Sequence, residues 1–308
     1  MNNVKIFSGS GSLELSKNVA NNLGVKLGKI KTSKFSDGEF QPEFLENIRG
    51  RVVFLIQSCY APFDNYWELF QMIQAAKLAS ASKIIVCLPY MGYSRQDRKD
   101  KSRVGIGAKL IADILEVSGA TKIVTIDLHA DQIGAFFNIP VDQLYASYLF
   151  VPYLKSLKLD NLIIVSPDTG STKKAKYLSG HLDTDMAICY KHRSEANKID
   201  EMILIGDVNG KDVIIVDDIA DTCTTICRAA NLMIEKGAKS VRAVITHPVM
   251  SGNAYENIEN SKLLELIVTD TIPLKQKIDK ITVLSVDKLL SETIKNIVDN
   301  NSISELFI

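Results

Sequence analysis

The stretch VIIVDDIADTCTTI, Val213 to Ile226, decides how the chain folds, because a run built to be buried ends in adjacent carboxylates. Val213 to Val216 are apolar and mostly β-branched, the composition of a strand covered on both faces in a parallel sheet. Asp217 and Asp218 follow at once, Asp221 adds a third acid, and hydroxyls stand at Thr222, Thr224 and Thr225. Such an ending places the acids at the carboxyl edge of an open α/β sheet, where ligands bind. Apolar residues then return every three or four positions from Ile226 to Ile234 and stop before Gly237. That spacing predicts a tight loop over Ala220 to Thr225, a helix beginning near Thr225, and a glycine C-cap at Gly237.

The pattern recurs along the chain. Short β-branched runs lie at Val52 to Ile56, Ile84 to Leu88, Ile123 to Ile126, Leu162 to Val165 and Val241 to Ile245, and helical periodicity separates most of them, as in Trp67 to Leu78 and Leu110 to Val117. Strand and helix in alternation mean βαβ units around parallel sheets. At 308 residues two domains are expected, since single cores stop growing below that length. An internal echo supports duplication: Lys83 to Asp97 resembles Asn161 to Ala175, and Lys122 to Gln132 parallels Asp212 to Thr222. The ordinary alternative is the general likeness of any two parallel-sheet strands.

With 36 basic and 36 acidic side chains the net charge is zero, so no whole-molecule field draws nucleic acid or anionic membrane. No apolar run approaches the roughly 20 residues that span a bilayer, and MNNVKIFSGS lacks the layout of a signal peptide, so a cytoplasmic protein is expected. The five cysteines show no paired zinc spacing and are expected as reduced thiols.

The chemistry of the opening stretch follows from its parts. A helix amino terminus offers unpaired N–H groups and partial positive charge to a phosphate monoester, and the threonine hydroxyls can join them. Ionised carboxylates would repel that phosphate, so Asp217 and Asp218 face sugar hydroxyls or a cation. A phosphorylated ribose satisfies both ends. The ordinary alternative is helix capping by Asp221 or a threonine, with the acids solvated.

Beyond this loop, the chain carries FSDGE (Phe35 to Glu39), ENIRG (Glu46 to Gly50), GYSRQDRKDKSR (Gly92 to Arg103), DLHADQI (Asp127 to Ile133), SPDTG (Ser166 to Gly170), IGDV (Ile205 to Val208) and SGNA (Ser251 to Ala254). Together they resemble, essentially end to end, the class I ribose-phosphate diphosphokinase (phosphoribosyl pyrophosphate synthetase) family. The resemblance implies an α/β fold of two similar phosphoribosyltransferase-type domains, residues 1–147 and 148–288, with a C-terminal helix in 289–308 returning to the first. It implies transfer of a diphosphoryl group from Mg-ATP to ribose 5-phosphate, in a homo-oligomer built as a hexamer of dimers. Arg95, Gln96 and Lys99 are then ATP-binding, and Phe35, Asp37 and Glu39 reach ATP from a neighbouring subunit. Asp217, Asp218, Asp221, Thr222, Cys223, Thr224 and Thr225 hold ribose 5-phosphate. Asp168, Thr169, Gly170 and Ser171 form a pyrophosphate loop, and His129 and Asp168 bind Mg²⁺. Lys191 and Arg193, in a basic and flexible-looking segment, stabilise the transition state. Arg49, Arg103, Ser302 and Ser304 match a regulatory site for inorganic phosphate.

Several positions depart from the family pattern. Thr224 and Ser171 stand where glycine is usual, Asn47 where serine is frequent, and Gly105 and Gly107 replace bulkier residues. Strain at Thr224 and extra mobility around Gly105 and Gly107 are expected from them. The rival readings are a phosphoribosyltransferase that consumes the diphosphate, and a non-catalytic associated subunit.

Overall fold

The computed structural model describes residues 3–192 and 201–306. A first series of elements comprises β1 (Val4–Ser8), α1 (Leu13–Asn22), β2 (Ile30–Lys34), β3 (Phe40–Phe44), β4 (Val52–Ile56), α2 (Asp64–Leu78), β5 (Lys83–Leu88), α3 (Gly107–Ser118), β6 (Lys122–Ile126), β7 (Val141–Leu144) and α4 (Ser147–Ser156). A second comprises β8 (Leu162–Ser166), α5 (Thr172–Leu182), β9 (Asp185–His192), β10 (Glu201–Ile205), β11 (Asp212–Ala220), α6 (Thr224–Glu235), β12 (Ser240–Pro248), α7 (Ala254–Asn260), β13 (Glu265–Thr269), β14 (Ile281–Leu284) and α8 (Asp287–Asp299). The second repeats the first element for element, down to the antiparallel pairs β2–β3 and β9–β10.

Each series builds a parallel sheet in one order, β1-β4-β5-β6-β7 in the first and β8-β11-β12-β13-β14 in the second, where β9 and β10 extend the sheet beyond β8. The fold is therefore α/β, two similar domains of parallel strands flanked by helices. This order corrects the sequence echo, which paired β5 with β8 and β6 with β11. Topology equates β8 with β1, β11 with β4 and β12 with β5. The echoing segments look alike because each is a covered strand running into a turn at the carboxyl edge, a demand that several strands of such a sheet share.

Two compact units result. One holds the residues through Tyr145, Thr271–Pro273 and the C-terminal stretch from Ser285; the other holds Ala146–Asp270 and Leu274–Leu284. The last helix of each series thus belongs to the unit built by the other. Helix α4 packs on α5 through a face bearing Phe150, Val151 and Leu154, and α8 packs on α1 through one bearing Leu289, Leu290 and Ile294. Strands of Val, Ile and Leu supply the buried centre of each unit, with Phe7, Leu55 and Val86 in the first and Val165, Ile215 and Ile245 in the second. All five cysteines are free and buried, and burial pushes the Cys87 and Cys223 thiols up to about 12. Among the described residues no helix is long and apolar enough to cross a membrane.

Ile215 is fully buried in the central strand of the second unit. Truncation to Ile215→Ala should lower unfolding stability by about 2–5 kcal/mol, seen as a reduced urea midpoint; an unchanged midpoint would contradict this packing.

Candidate functional site

Strand β11 pairs with β8 only as far as Ile215↔Val165, but with β12 as far as Ala220↔Pro248. It outruns one neighbour, and the acids lie in this overhang. The side chain of Ser171, in the turn after β8, crosses to it: its hydroxyl donates to Asp217 Oδ1 over 2.6 Å. The same carboxylate oxygen accepts the Asp218 N–H at 2.9 Å. Asp218 is only 3% exposed, and Lys174 Nζ, in the first turn of α5, stands 3.5 Å from its Oδ1. The acid that the sequence reading left to a ligand or cation therefore has a protein partner.

Burial above all, and then the charge and hydrogen bond of Asp218, push the Asp217 carboxyl up to about 7, while the Ser171 hydroxyl pulls the other way. Asp217 therefore keeps its proton to near neutrality. A ligand that favours both ionised forms, a cation or a set of sugar hydroxyls, displaces that proton on binding.

The loop is shorter than the sequence predicts, because β11 continues through Ala220 and α6 already begins at Thr224. Asp221, Thr222 and Cys223 make the turn. Its left-handed residue is Cys223, at φ +59°, and not Thr224, so the expected strain at Thr224 does not arise. The Thr222 and Thr224 hydroxyls lie 3.2 Å apart and are exposed, and Thr225 is half-buried. The Asp221 carboxylate accepts a short hydrogen bond from the Ser251 hydroxyl, which turns it to holding the loop. At the far end of α6, Gly237, the residue after the C-cap Lys236, takes φ +88° as the C′ glycine that closes the helix.

Asp168 organises the neighbouring turn. Its Oδ1 accepts the N–H of Gly170 at 2.9 Å and of Ser171 at 3.2 Å, and its carbonyl accepts the Ser166 hydroxyl at 2.6 Å. Thr169 and Gly170 are exposed, whereas Ser171 is buried. Lys191 stands in β9, its backbone paired with Met202, which corrects the expectation of a loop there. Its side chain and the whole of Arg193 lie outside the described residues.

The remaining predicted residues belong to the first unit. Phe35, Asp37 and Glu39 occupy the tip between β2 and β3, closed by Phe35 N–H to the Glu39 carbonyl and by Glu39 N–H to Asp37 Oδ1, and Phe35 is 54% exposed. Arg95, Gln96 and Lys99 are exposed beyond β5. Gly107 does not loosen this segment: it opens α3, and a Cβ there would come within 2.5 Å of Gln96 Oε1. His129 is half-buried after β6. Arg49 donates to Ser80 Oγ at 3.1 Å, and Asn47 takes the serine-like role of accepting the Arg49 N–H at 3.0 Å. Arg49 and Asn47 line a cavity of about 500 Å³ that Glu43 and Glu46 also line, and those acids oppose an anion. Arg103 is exposed, and Ser302 and Ser304 bond to each other at 3.0 Å.

Among the described residues no group of three or more His, Cys, Asp or Glu side chains could by itself hold a metal. Asp168, Asp217 and Asp218 offer hard carboxylate oxygens that fit Mg²⁺, whereas the His129 imidazole suits softer metals better. Sequence reasoning missed Lys174 as the partner of Asp218, and Asn257, whose side-chain amide donates to the Thr222 carbonyl at 2.9 Å. No local signal marks either, since both bonds depend on tertiary approach.

The ordinary carboxyl value of Asp217 is 3.8, raised to about 7 in the fold, so between these values the folded chain keeps a proton that the unfolded chain has released. The stabilising contribution is complete below about pH 4 and is lost as pH rises through 7. Asp217→Asn should flatten that slope and melt higher than the parent at pH 8; parallel melting-temperature profiles from pH 4 to 8 would count against a raised Asp217 carboxyl.

Residues 4–119 match the model described as the N-terminal domain of ribose phosphate pyrophosphokinase, and residues 192–308 match the phosphoribosyl synthetase-associated domain. The ribose-phosphate pyrophosphokinase of Porphyromonas gingivalis is 50% identical over 99% of this chain and 98% of its own length. That of Wolinella succinogenes is 49% identical over 100% of both. The crystal structure of phosphoribosylpyrophosphate synthetase from Mycobacterium smegmatis superposes with a TM-score of 0.92 at 36% identity, covering 97% of this chain and 100% of that one. With identity of this depth along the whole chain, and the same fold, this protein belongs to the ribose-phosphate pyrophosphokinase family of enzymes.

Proposed function

We propose that the chain transfers the β,γ-diphosphoryl group of Mg-ATP to O1 of ribose 5-phosphate, giving 5-phosphoribosyl 1-diphosphate and AMP. The observation that carries this reading is the acid pair in the overhang of β11, set directly before a left-handed turn into α6. Adjacent carboxylates suit neighbouring ribose hydroxyls, and the amino end of α6 with Thr222, Thr224 and Thr225 suits the 5-phosphate. Asp217 and Asp218 orient the sugar so that its O1 faces the β-phosphorus. The O1–phosphorus bond forms as the bond from that phosphorus to the oxygen of the α-phosphate breaks.

In-line displacement of this kind needs positioning and positive charge more than acid–base chemistry. Lys191 and Arg193 are assigned as the cations that meet the transferring group. The turn from Asp168 to Ser171 receives the diphosphate, and Arg95, Gln96 and Lys99 grip ATP. Asp168, with the assigned His129 as the weaker donor for a hard cation, would hold the Mg²⁺ taken with the nucleotide, which would supply charge neutralisation at the phosphoryl oxygens. The exposed hairpin tip with Phe35, Asp37 and Glu39 fits donation to a neighbouring copy in a homo-oligomer, proposed as a hexamer of dimers. Inorganic phosphate is proposed as an activator through Arg49, Arg103, Ser302 and Ser304.

Ribose 5-phosphate, Mg-ATP and protein together should release AMP in step with 5-phosphoribosyl 1-diphosphate. Asp218→Ala and Lys191→Ala should each lower kcat by about 10²–10³ or more, the scale of removing one preorganised charge. Release of ADP in place of AMP, or full turnover in both variants, would overturn the assignment.

A further inference from the structure

The turn into α6 is held from outside by one other segment. Met250 N–H donates to the Ala220 carbonyl at 2.9 Å, Ser251 N–H to the Asp221 carbonyl at 3.0 Å, and Asn257 Nδ2 to the Thr222 carbonyl at 2.9 Å. The Ser251 hydroxyl also donates to the Asp221 carboxylate. Three consecutive carbonyls of the turn are thus tethered to residues 250–257. That segment is itself sharply bent, with Met250 at φ +53° and Gly252 at φ +55°.

A planar trans peptide points its C=O and the next residue's N–H in opposite directions. Fixing the carbonyls of Ala220, Asp221 and Thr222 on one side therefore commits the N–H groups of Asp221, Thr222 and Cys223 to the other. Cys223 is left-handed and Thr224 is right-handed helical, the alternation that makes the N–H groups of Cys223, Thr224 and Thr225 converge on an anion, so the cradle continues from the tethered peptides into the first turn of α6. A carboxylate inside a phosphate-binding turn would repel its ligand; bonded to Ser251, Asp221 serves the tether.

We propose that Ser251 and Asn257 are positioning residues that touch no substrate and set the N–H cradle for the sugar phosphate by holding the opposite side of the turn. The proposal rests on the reading of this loop as the ribose 5-phosphate site. Two of the tethers are side-chain donors, so they can be removed without altering the turn's own sequence.

The test compares Asn257→Ala, Asn257→Asp, Ser251→Ala and Ser251→Thr with the parent enzyme. In Asn257→Asp the shape is kept but the donor is lost; in Ser251→Thr the hydroxyl is kept. Losing either donor should raise KM for ribose 5-phosphate about tenfold, with kcat and KM for Mg-ATP within twofold of the parent, and Ser251→Thr should restore most of the loss. A purely structural part would lower the active fraction and leave KM in place. Amide hydrogen exchange over residues 219–226 of the protein without substrate should quicken about tenfold in the same variants. An unchanged KM for ribose 5-phosphate, or unchanged exchange in this turn, would overturn the proposal. Should the parent enzyme make no AMP, the parent reading falls, while the exchange measurement still decides whether these two side chains hold the turn. If Ser251→Ala does not fold, the half-buried Asn257 decides alone through its two variants.

Discussion

Two carboxylates cannot sit side by side at the end of a covered strand unless their charge is relieved, and the site is arranged around that constraint. Asp217 and Asp218 are relieved in three ways at once. Burial and its neighbour keep Asp217 protonated toward neutrality, the Ser171 hydroxyl bonds Asp217, and Lys174 stands beside Asp218. The hydroxyl and the ammonium both come from the segment after β8, so the turn assigned to diphosphate and the acids assigned to ribose are held together. Any ligand that takes the acids must first displace a proton or draw Lys174 away.

The fold serves this arrangement through a difference in strand length. Because β8 stops pairing at Val165 and β11 runs on to Ala220, the overhang gives Ser166 to Ser171 a place to turn back against the acids. A glycine at position 171 could not supply the bond to Asp217 that the Ser171 hydroxyl makes.

Much of this was legible in the sequence. Strands such as Val213 to Val216 and Ile84 to Leu88 announce themselves by uniform β-branched burial, and the acids and threonines between Asp217 and Thr225 declare an edge with a ligand. The equivalence of the two series was not legible. The sequence echo drew β5 to β8, and hydrogen-bond order reveals the correspondence of β8 with β1. The extent of β11, the ion pair of Lys174 and the tether of Asn257 were hidden for a related reason: each is set by contacts between segments far apart in the chain. Strain was placed one residue too late, at Thr224, because a loop drawn to Thr225 left no sign that the helix had begun and that Cys223 carried the left-handed bend.

The helices that close each series have a consequence for how the molecule comes into being. Since α8 covers α1, and α4 covers α5, a chain leaving the ribosome can pair β1, β4, β5, β6 and β7 long before the helix that seals their unit exists. The amino-terminal unit is begun first and finished last. A chain that lacks α8 therefore leaves the side of α1 that this helix covers open to chaperones and proteases, so cellular quality control can sense one helix through another that lies far earlier in the chain.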